Sequence, residues 1–456
     1  MAYSSSTNFP GTWFTVSPTG LANYQPPNNG ANFGPDTPGT QTNGIQEALN
    51  AAANAGGGKV YCQAGAYTCS LGFWFPSSNI LLEFAPGSSL TFTSAATGLT
   101  PNYATGAPFP GFIVMGTSMT ANPSSPLSHQ WLIGNGLKVS WNNQNIGGVI
   151  VYNPGQANGN SIPAYSGPGG EDYLVQGLET SGIINQVFAV GSDNGNSTMT
   201  ALQHLRHVVM RGIYDVRGAN TGGTGMHVAG GVAQVLVEDC ESDLSGTTGD
   251  ISNLFMNAAS GDTSNVVWRR CRFKSNGSSG QVVELQGNGG SGTTGGTHEI
   301  LLEDCILDSG ATSGAPTGGS GGAYVDDNNG GSGIGYVYNL EFRRCIWVFC
   351  GMSFQSAGTQ FGYLRFIGPV PGAFSGSLGG RGPDSSGVSI SVGASPYSYQ
   401  NLDSSPETVV VSGGSVSSIK YNGVTTGLTS GAFVLNPGDE LTVTYSTAPT
   451  MTKIAE

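Results

Sequence analysis

Glu284 and Asp326 are the residues whose types and spacing suggest chemistry. Each lies in a short stretch of alternating apolar residues, Gln281–Gly287 and Gly322–Asn328. Comparable stretches occur at Gly225–Gly230, Asn253–Ala258 and Gly351–Ser356. Aligned on the apolar residues Met226 and Val228, Leu254 and Met256, Val283 and Leu285, with Val325 taken as inward, they leave two rows facing the other way. One row is His227, Phe255, Glu284, Tyr324, Ser353; the other is Ala229, Asn257, Gln286, Asp326, Gln355. Strands stacked about 4.8 Å apart place Glu284 and Asp326 one level and two residues apart, roughly 8 Å between backbones. Two carboxyl groups about 6.5–9.5 Å apart suit acid–base cleavage of an acetal with inversion, one protonating the leaving oxygen while the other activates water. Asp327, His227 and Asp250 are the nearest groups to join them. The competing interpretation is structural: Val-Asp-Asp-Asn-Asn-Gly-Gly is also a turn composition, since Asp and Asn bond their own backbone there, and a single Glu on a strand face is commonly just solvated.

The elements that must position these residues are announced by a repeated phrase. Val235–Cys240, Val266–Cys271, Ile300–Cys305 and Leu340–Cys345 each end in two charged residues and a Cys, and Val208–Ile213 is a weaker fifth copy. A period of roughly thirty to forty residues means one supersecondary unit per repeat, stacked as a solenoid. The third and fifth residues before each Cys are apolar, the period of a strand with one buried face. Strict alternation would bury the charged residue before each Cys, so a bend or bulge is expected to turn the Cys inward. No helical pattern separates the repeats, which leaves a parallel β-helix.

Up such a stack, Arg211, Glu238, Arg269, Glu303 and Arg343 alternate in sign, and Asp239, Arg270, Asp304 and Arg344 alternate beside them. Opposite charges on neighbouring strands attract, so these arginines are expected in a structural ladder. The Cys residues should stack inside as small apolar groups. No Cys-x-x-Cys pair occurs, so no zinc site is expected. Cys62 and Cys69 flank a short turn, at a spacing that leaves a disulfide open.

Seventy-four Gly and only 9% charged residues suit turns and short strands. A net charge of −13 argues against nucleic acid and anionic membrane surfaces as partners. It also makes an anionic polymer a poor ligand unless a local basic cleft exists. No apolar run is long enough to span a membrane. Met-Ala-Tyr-Ser-Ser-Ser lacks a secretory signal pattern, which points to a removed signal or to release by lysis as part of a virion.

Residues 1–40 read as an irregular arm. Asn43–Ala55 is the one convincing helix, with Ile45, Ala48, Leu49 and Ala52 on one face and a stop at Gly56-Gly57-Gly58. Strands are expected at Lys59–Cys62, Tyr67–Ser70 and Asn79–Phe84, with coils from Gly111 to about Phe366 and insertions at Ala121–Ser128 and Gly155–Glu171. Gly44-Ile45-Gln46-Glu47-Ala48-Leu49, the Gly triplet, Val60-Tyr61, Ala64-Gly65-Ala66-Tyr67 and Asn79-Ile80-Leu81-Leu82 resemble the cap and first coils of pectin-lyase-like right-handed β-helices. That superfamily includes polygalacturonases, polysaccharide lyases and bacteriophage tailspikes. The resemblance implies a capping helix over the open end of the stack. It covers about forty residues closely, and the later coils by pattern alone.

The superfamily's catalytic signatures are incomplete. Asp326-Asp327 matches the Asp-Asp pair of polygalacturonases, but no Asn-Thr-Asp or Gly-His-Gly is present; His227 in Gly225-Met226-His227-Val228 is a loose echo. Lyases use an Arg or Lys base with calcium, and the Arg residues outside the ladder are few, leaving Lys274, Arg272 and Arg217. From about Val388 the pattern changes to hairpins, with strands at Thr408–Val411, Ser415–Tyr421, Ala432–Leu435 and Leu441–Tyr445 separated by Asn422-Gly423 and Pro437-Gly438. Ser395-Pro396-Tyr397-Ser398-Tyr399 and Gly427-Leu428-Thr429-Ser430-Gly431 resemble small terminal modules of viral structural proteins.

The expectation is an all-β chain: arm 1–40, right-handed parallel β-helix 41–385 with a short N-terminal capping helix, and an antiparallel C-terminal β module 386–456. It would be a polysaccharide-degrading enzyme, a hydrolase before a lyase, acting outside the cell or on a virion. Catalysis would fall to Glu284, Asp326, Asp327 and His227, and binding to Phe255, Asn257, Gln286, Tyr324 and Gln355. No cofactor is expected, with calcium reserved for the lyase alternative. The partner would be a polysaccharide, with the chain a monomer or homotrimer. The alternative from another class is a non-catalytic glycan-binding or structural protein.

Overall fold

The computed structural model describes residues 9, 11–19, 32–99, 110–117, 119, 126–142, 146–152, 169–191, 204–217, 223–248, 251–258, 261–277, 280–287, 295–314, 322–326, 335–355, 360–361, 364–376, 388–401, 407–436 and 439–455. The chain forms two compact units, Met1–Gln360 with Leu364–Ser377, and Leu378–Glu456 with Phe361–Tyr363.

The first unit is the expected right-handed parallel β-helix. Its repeated phrases stack in register, with Val208, Val235, Val266, Ile300 and Leu340 aligned on successive coils. The inward row Val237, Trp268, Leu302 and Phe342 is buried to within 1%, as the alternating apolar residues require. Each phrase ends in a corner. Asp239, Arg270, Asp304 and Arg344 all adopt the left-handed conformation, with φ between 52° and 55°, and Gly212 takes the same place in the fifth copy. This corner interrupts the alternation, so the charged residue before it stays outside while Cys240, Cys271, Cys305 and Cys345 turn inward and are buried. The chain then continues into a second short strand, with Glu241, Arg272, Ile306 and Ile346 aligned.

The charges form the expected ladder. Arg211 Nε donates to Glu238 (2.6 Å), Arg269 Nε to Glu303 (2.9 Å) and Arg343 Nη1 to Glu303 (3.3 Å). Beside them, Arg270 bonds Asp239 and Arg344 bonds Asp304, each through Nε at 2.7 Å. Arg270 and Arg344 also cross over to Glu238 (3.2 Å) and Glu303 (3.0 Å), tying the two rows together.

The helix Ile45–Asn54 covers the first coil through Ile45, Ala48, Leu49 and Ala52. Gly44 precedes it at φ 87°, where a Cβ would lie 2.4 Å from Gly34 N. The segment expected to be an irregular arm supplies strands to the stack: Trp13–Val16 pairs with Lys59–Cys62, and Asn32–Phe33 with Thr15–Val16. Phe14 and Val16 are buried there, and that burial outweighs the turn-rich composition around them. Cys62 and Cys69 are both buried free thiols, so the disulfide left open does not form. Most of the expected insertions 121–128 and 155–171 lies outside the described residues.

The second unit holds two four-stranded antiparallel sheets around Val409, Val411, Ile419, Leu435, Leu441, Val443 and Met451. Asn422 (φ 48°) and Gly423 (φ 81°) close the hairpin between Ser415–Tyr421 and Val424–Thr425. Such a pair of positive φ values is what a two-residue hairpin loop requires.

Glu303 bonds three arginines, so Glu303→Gln should cost about 1–2 kcal/mol in denaturant unfolding, with a smaller penalty at high salt. Hydrogen bonds from Arg270 and Arg344 hold the Asp239 and Asp304 carboxyls below their usual range. Because these folded values are depressed, their contribution is complete above the ordinary carboxylate pKa of about 4 and is lost as pH falls through the lowered values. Melting temperature should therefore fall in that acid window, and fall less steeply in the Arg270→Gln/Arg344→Gln variant.

Candidate active site

A further strand of each coil, including Gly223–Val228, Ile251–Met256, Gln281–Gln286, Ala323–Asp326 and Met352–Gln355, contributes to a separate ten-stranded parallel sheet. Its register aligns Ala189, His227, Phe255, Glu284, Tyr324 and Ser353 on successive coils. Gln286, Asp326 and Gln355 align two residues further along. Glu284 and Asp326 are thus one coil and two residues apart. Met226, Leu254, Val283, Leu285 and Val325 are buried on the inner side.

Alternation breaks near the start of these strands. Asn253 is fully buried, with its Nδ2 donating to the carbonyls of Ser242 (2.7 Å) and Lys274 (2.9 Å) across the coil interior. Its neighbour Leu254 also faces inward, so two successive residues point into the core. Gly225 makes this possible from the coil below, because a Cβ there would sit 2.3 Å from the Asn253 carbonyl. Ser252 consequently lies on the same side as Phe255. A third row results, with Gln186, Thr224, Ser252 and Gln281 in register. Sequence reasoning missed this row; its signal was a polar residue three positions before each of Ala189, His227, Phe255 and Glu284.

The third row holds the first in place. The Ser252 hydroxyl bonds Glu284 Oε2 and lies 3.0 Å from Gln281 Oε1, while Gln286 Nε2 donates to Glu284 Oε1 (2.6 Å). Both oxygens of Glu284 therefore receive protein donors. Gln186 Nε2 donates to His227 Nδ1 (3.2 Å), and the His227 ring packs 4.6 Å from Phe255.

His227 is only 2% exposed and so forms part of the floor, where neighbouring side chains cover it. Asn257 is equally buried, at a corner where Thr263 Oγ1 reaches the carbonyls of Asn257 (2.6 Å) and Ala229 (2.9 Å). It is therefore removed from the accessible face on which the alignment put it. Phe255, Glu284, Gln286 and Tyr324 are half-buried and form the accessible part. Asp326 and Gln355 are placed by backbone register alone, and Asp250 and Asp327 lie outside the described residues. Among the described residues no cluster of three or more His, Cys, Asp or Glu could hold a metal ion.

The cations considered as lyase bases are engaged elsewhere. Arg272 pairs with Glu241 (3.2 Å) and Lys274 with Asp243 (3.7 Å) in the strands after the corner. Arg217 is fully buried, 3.0 Å from Asp215.

No protein-family model matches the chain, and no curated protein matches it. Among solved structures, it is similar to an endo-xylogalacturonan hydrolase from Aspergillus tubingensis, with 10% identity over 79% of this chain and 94% of that one and a TM-score of 0.41. A mutant tailspike protein of E. coli bacteriophage HK620, solved with a hexasaccharide, has 10% identity over 97% and 93% and a TM-score of 0.29. PfbA, a surface adhesin of Streptococcus pneumoniae, has 11% identity over 73% and 88% and a TM-score of 0.30. At these identities and scores none of them bears on this chain's chemistry.

Beneath the face, Arg217 donates to the carbonyls of Thr224 (2.7 Å), Ile184 (3.3 Å) and Asn185 (3.2 Å), while Thr180 (2.8 Å) and Ser242 (3.3 Å) donate to Asp215. Burial pushes the Asp215 carboxyl up and the Arg217 guanidinium down, and their pairing opposes both shifts. Arg217→Met should cost about 3–5 kcal/mol because it leaves a buried carboxylate without its counter-charge. Adding Asp215→Leu should restore part of that loss in thermal denaturation.

Proposed function

We propose that the chain hydrolyses an extended polysaccharide with inversion, the substrate lying along the ten-stranded face. The observation that carries this reading is the pair of donors on Glu284, from Ser252 and Gln286. Hydrogen bonds to both oxygens favour the charged form of a carboxyl group. Glu284 is then the base, taking a proton from water as the oxygen attacks the anomeric carbon, and Asp326 is the acid, giving its proton to the departing glycosidic oxygen. Phe255 and Tyr324 occupy the coils on either side of Glu284 in the same row. Their rings suit the apolar faces of two successive sugar units, with Gln286 and Gln355 supplying amides for hydroxyls. Buried His227 supports Phe255 from below, and Asp327 is the neighbouring carboxylate to the acid. The chemistry calls for no cofactor, and the absence of a cation beside Glu284 in its row disfavours the lyase alternative.

A second reading, glycan binding without cleavage by a virion or surface protein, draws on the same hydrogen bonds. A carboxylate held on both oxygens by protein donors is a weaker base.

Incubation with a polysaccharide panel, reading both new reducing ends and the absorbance of unsaturated sugars, separates these outcomes. Hydrolysis predicts reducing ends without unsaturation, with the rate falling about 10²–10⁴-fold in Glu284→Gln and in Asp326→Asn while binding persists. Unsaturated products would mean a lyase. Binding without any new ends would favour the second reading.

A further inference from the structure

We infer that the ten-stranded face takes an uncharged polysaccharide and rejects one carrying carboxylates or phosphates. The inference rests on the glycan reading above and narrows its substrate class.

Its basis is where the chain puts its positive charge. There are 15 Lys and Arg residues against 28 Asp and Glu. None of the 15 falls between Lys59 and Lys138, between Lys138 and Arg206, between Arg217 and Arg269, between Lys274 and Arg343, or between Arg344 and Arg365. Those gaps contain the strands that build this sheet from Phe73–Trp74 through Met352–Gln355. Those strands therefore carry no Lys or Arg. Of the described β-helix cations, Arg211, Arg269, Arg270, Arg343 and Arg344 are spent on the ladder, on other strands and at their corners, and Arg217, buried beneath this face, is spent on Asp215. Among the described residues, no Lys or Arg on this face supplies the local basic cleft that would override the chain's net charge of −13.

What the accessible part of the face carries is the Glu284 carboxyl and the Gln286 amide, with the rings of Phe255 and Tyr324 on the neighbouring coils. A polymer with a negative charge on every repeat would meet the Glu284 carboxylate and no counter-charge on the described strands, in a partly desolvated site where that repulsion is least screened. A polymer of neutral or N-acetylated sugars presents only hydroxyls, amides and apolar ring faces, which match the Gln286 amide and the Phe255 and Tyr324 rings.

The test is an array of neutral, uronate-containing and phosphorylated polysaccharides probed with the full chain and with Phe255→Ala, at low and high salt. The expected result is that the bound polymers are neutral, that salt leaves their affinity unchanged, and that chemical reduction of a uronate polymer to its neutral counterpart raises binding at least tenfold. A uronate or phosphorylated polymer that binds in preference, with affinity falling as salt rises, overturns the substrate class and leaves the glycan reading standing. Binding that Phe255→Ala leaves at full strength places the ligand off this face and overturns the inference. Silence across all three classes overturns the glycan reading together with it.

Discussion

In-register stacking is the constraint on which this structure depends. Every residue of a coil has its counterpart on the next coil about 4.8 Å away, so whatever is placed outside is placed in a column. A column of like charges at that spacing would push the coils apart. The chain meets this by alternating sign in two adjacent columns and by cross-linking them through Arg270 and Arg344. The left-handed corner makes the arrangement possible, because it keeps both charged residues outside while the following Cys turns in.

That logic explains why so much was legible in the sequence. The spacing of Val, Leu and Trp before each Cys set the burial, and the alternating signs set the register, so both the ladder and the alignment of Glu284 with Tyr324 could be read without coordinates. The corner itself was foreseen from a conflict, since strict alternation would have buried charge. The same reasoning failed on the second strand, where no conflict was visible. With Leu254 and Met256 inward, parity alone would turn Asn253 outward; its amide instead satisfies two carbonyls inside the coil. Hydrogen bonding to buried carbonyls makes an inward Asn acceptable, and period-2 counting cannot detect it.

The consequence for the site is a division of labour between its rows. His227 and Asn257 looked equivalent to Phe255 and Gln286 in the alignment, yet both are buried, since accessibility depends on what neighbouring segments cover and not on parity. Ser252 and Gln281 entered the picture only because the strand shifts by one residue. The result is a carboxylate fixed by side chains from its own coil and the one below, with aromatic residues above and below it in the column. The geometry is held by strands and not by loops, which keeps these side chains in one arrangement.

The sign alternation of the ladder also defines the unit by which this solenoid can change length. Excising the single coil that carries Arg269 would bring Glu238 against Glu303, and excising its successor would bring Arg269 against Arg343. Removing or duplicating two adjacent coils preserves every opposite-charge contact. Within the ladder, the module that can be added or removed without a like-charge contact is therefore a pair of coils, a parity imposed by electrostatics on a backbone that has no such preference.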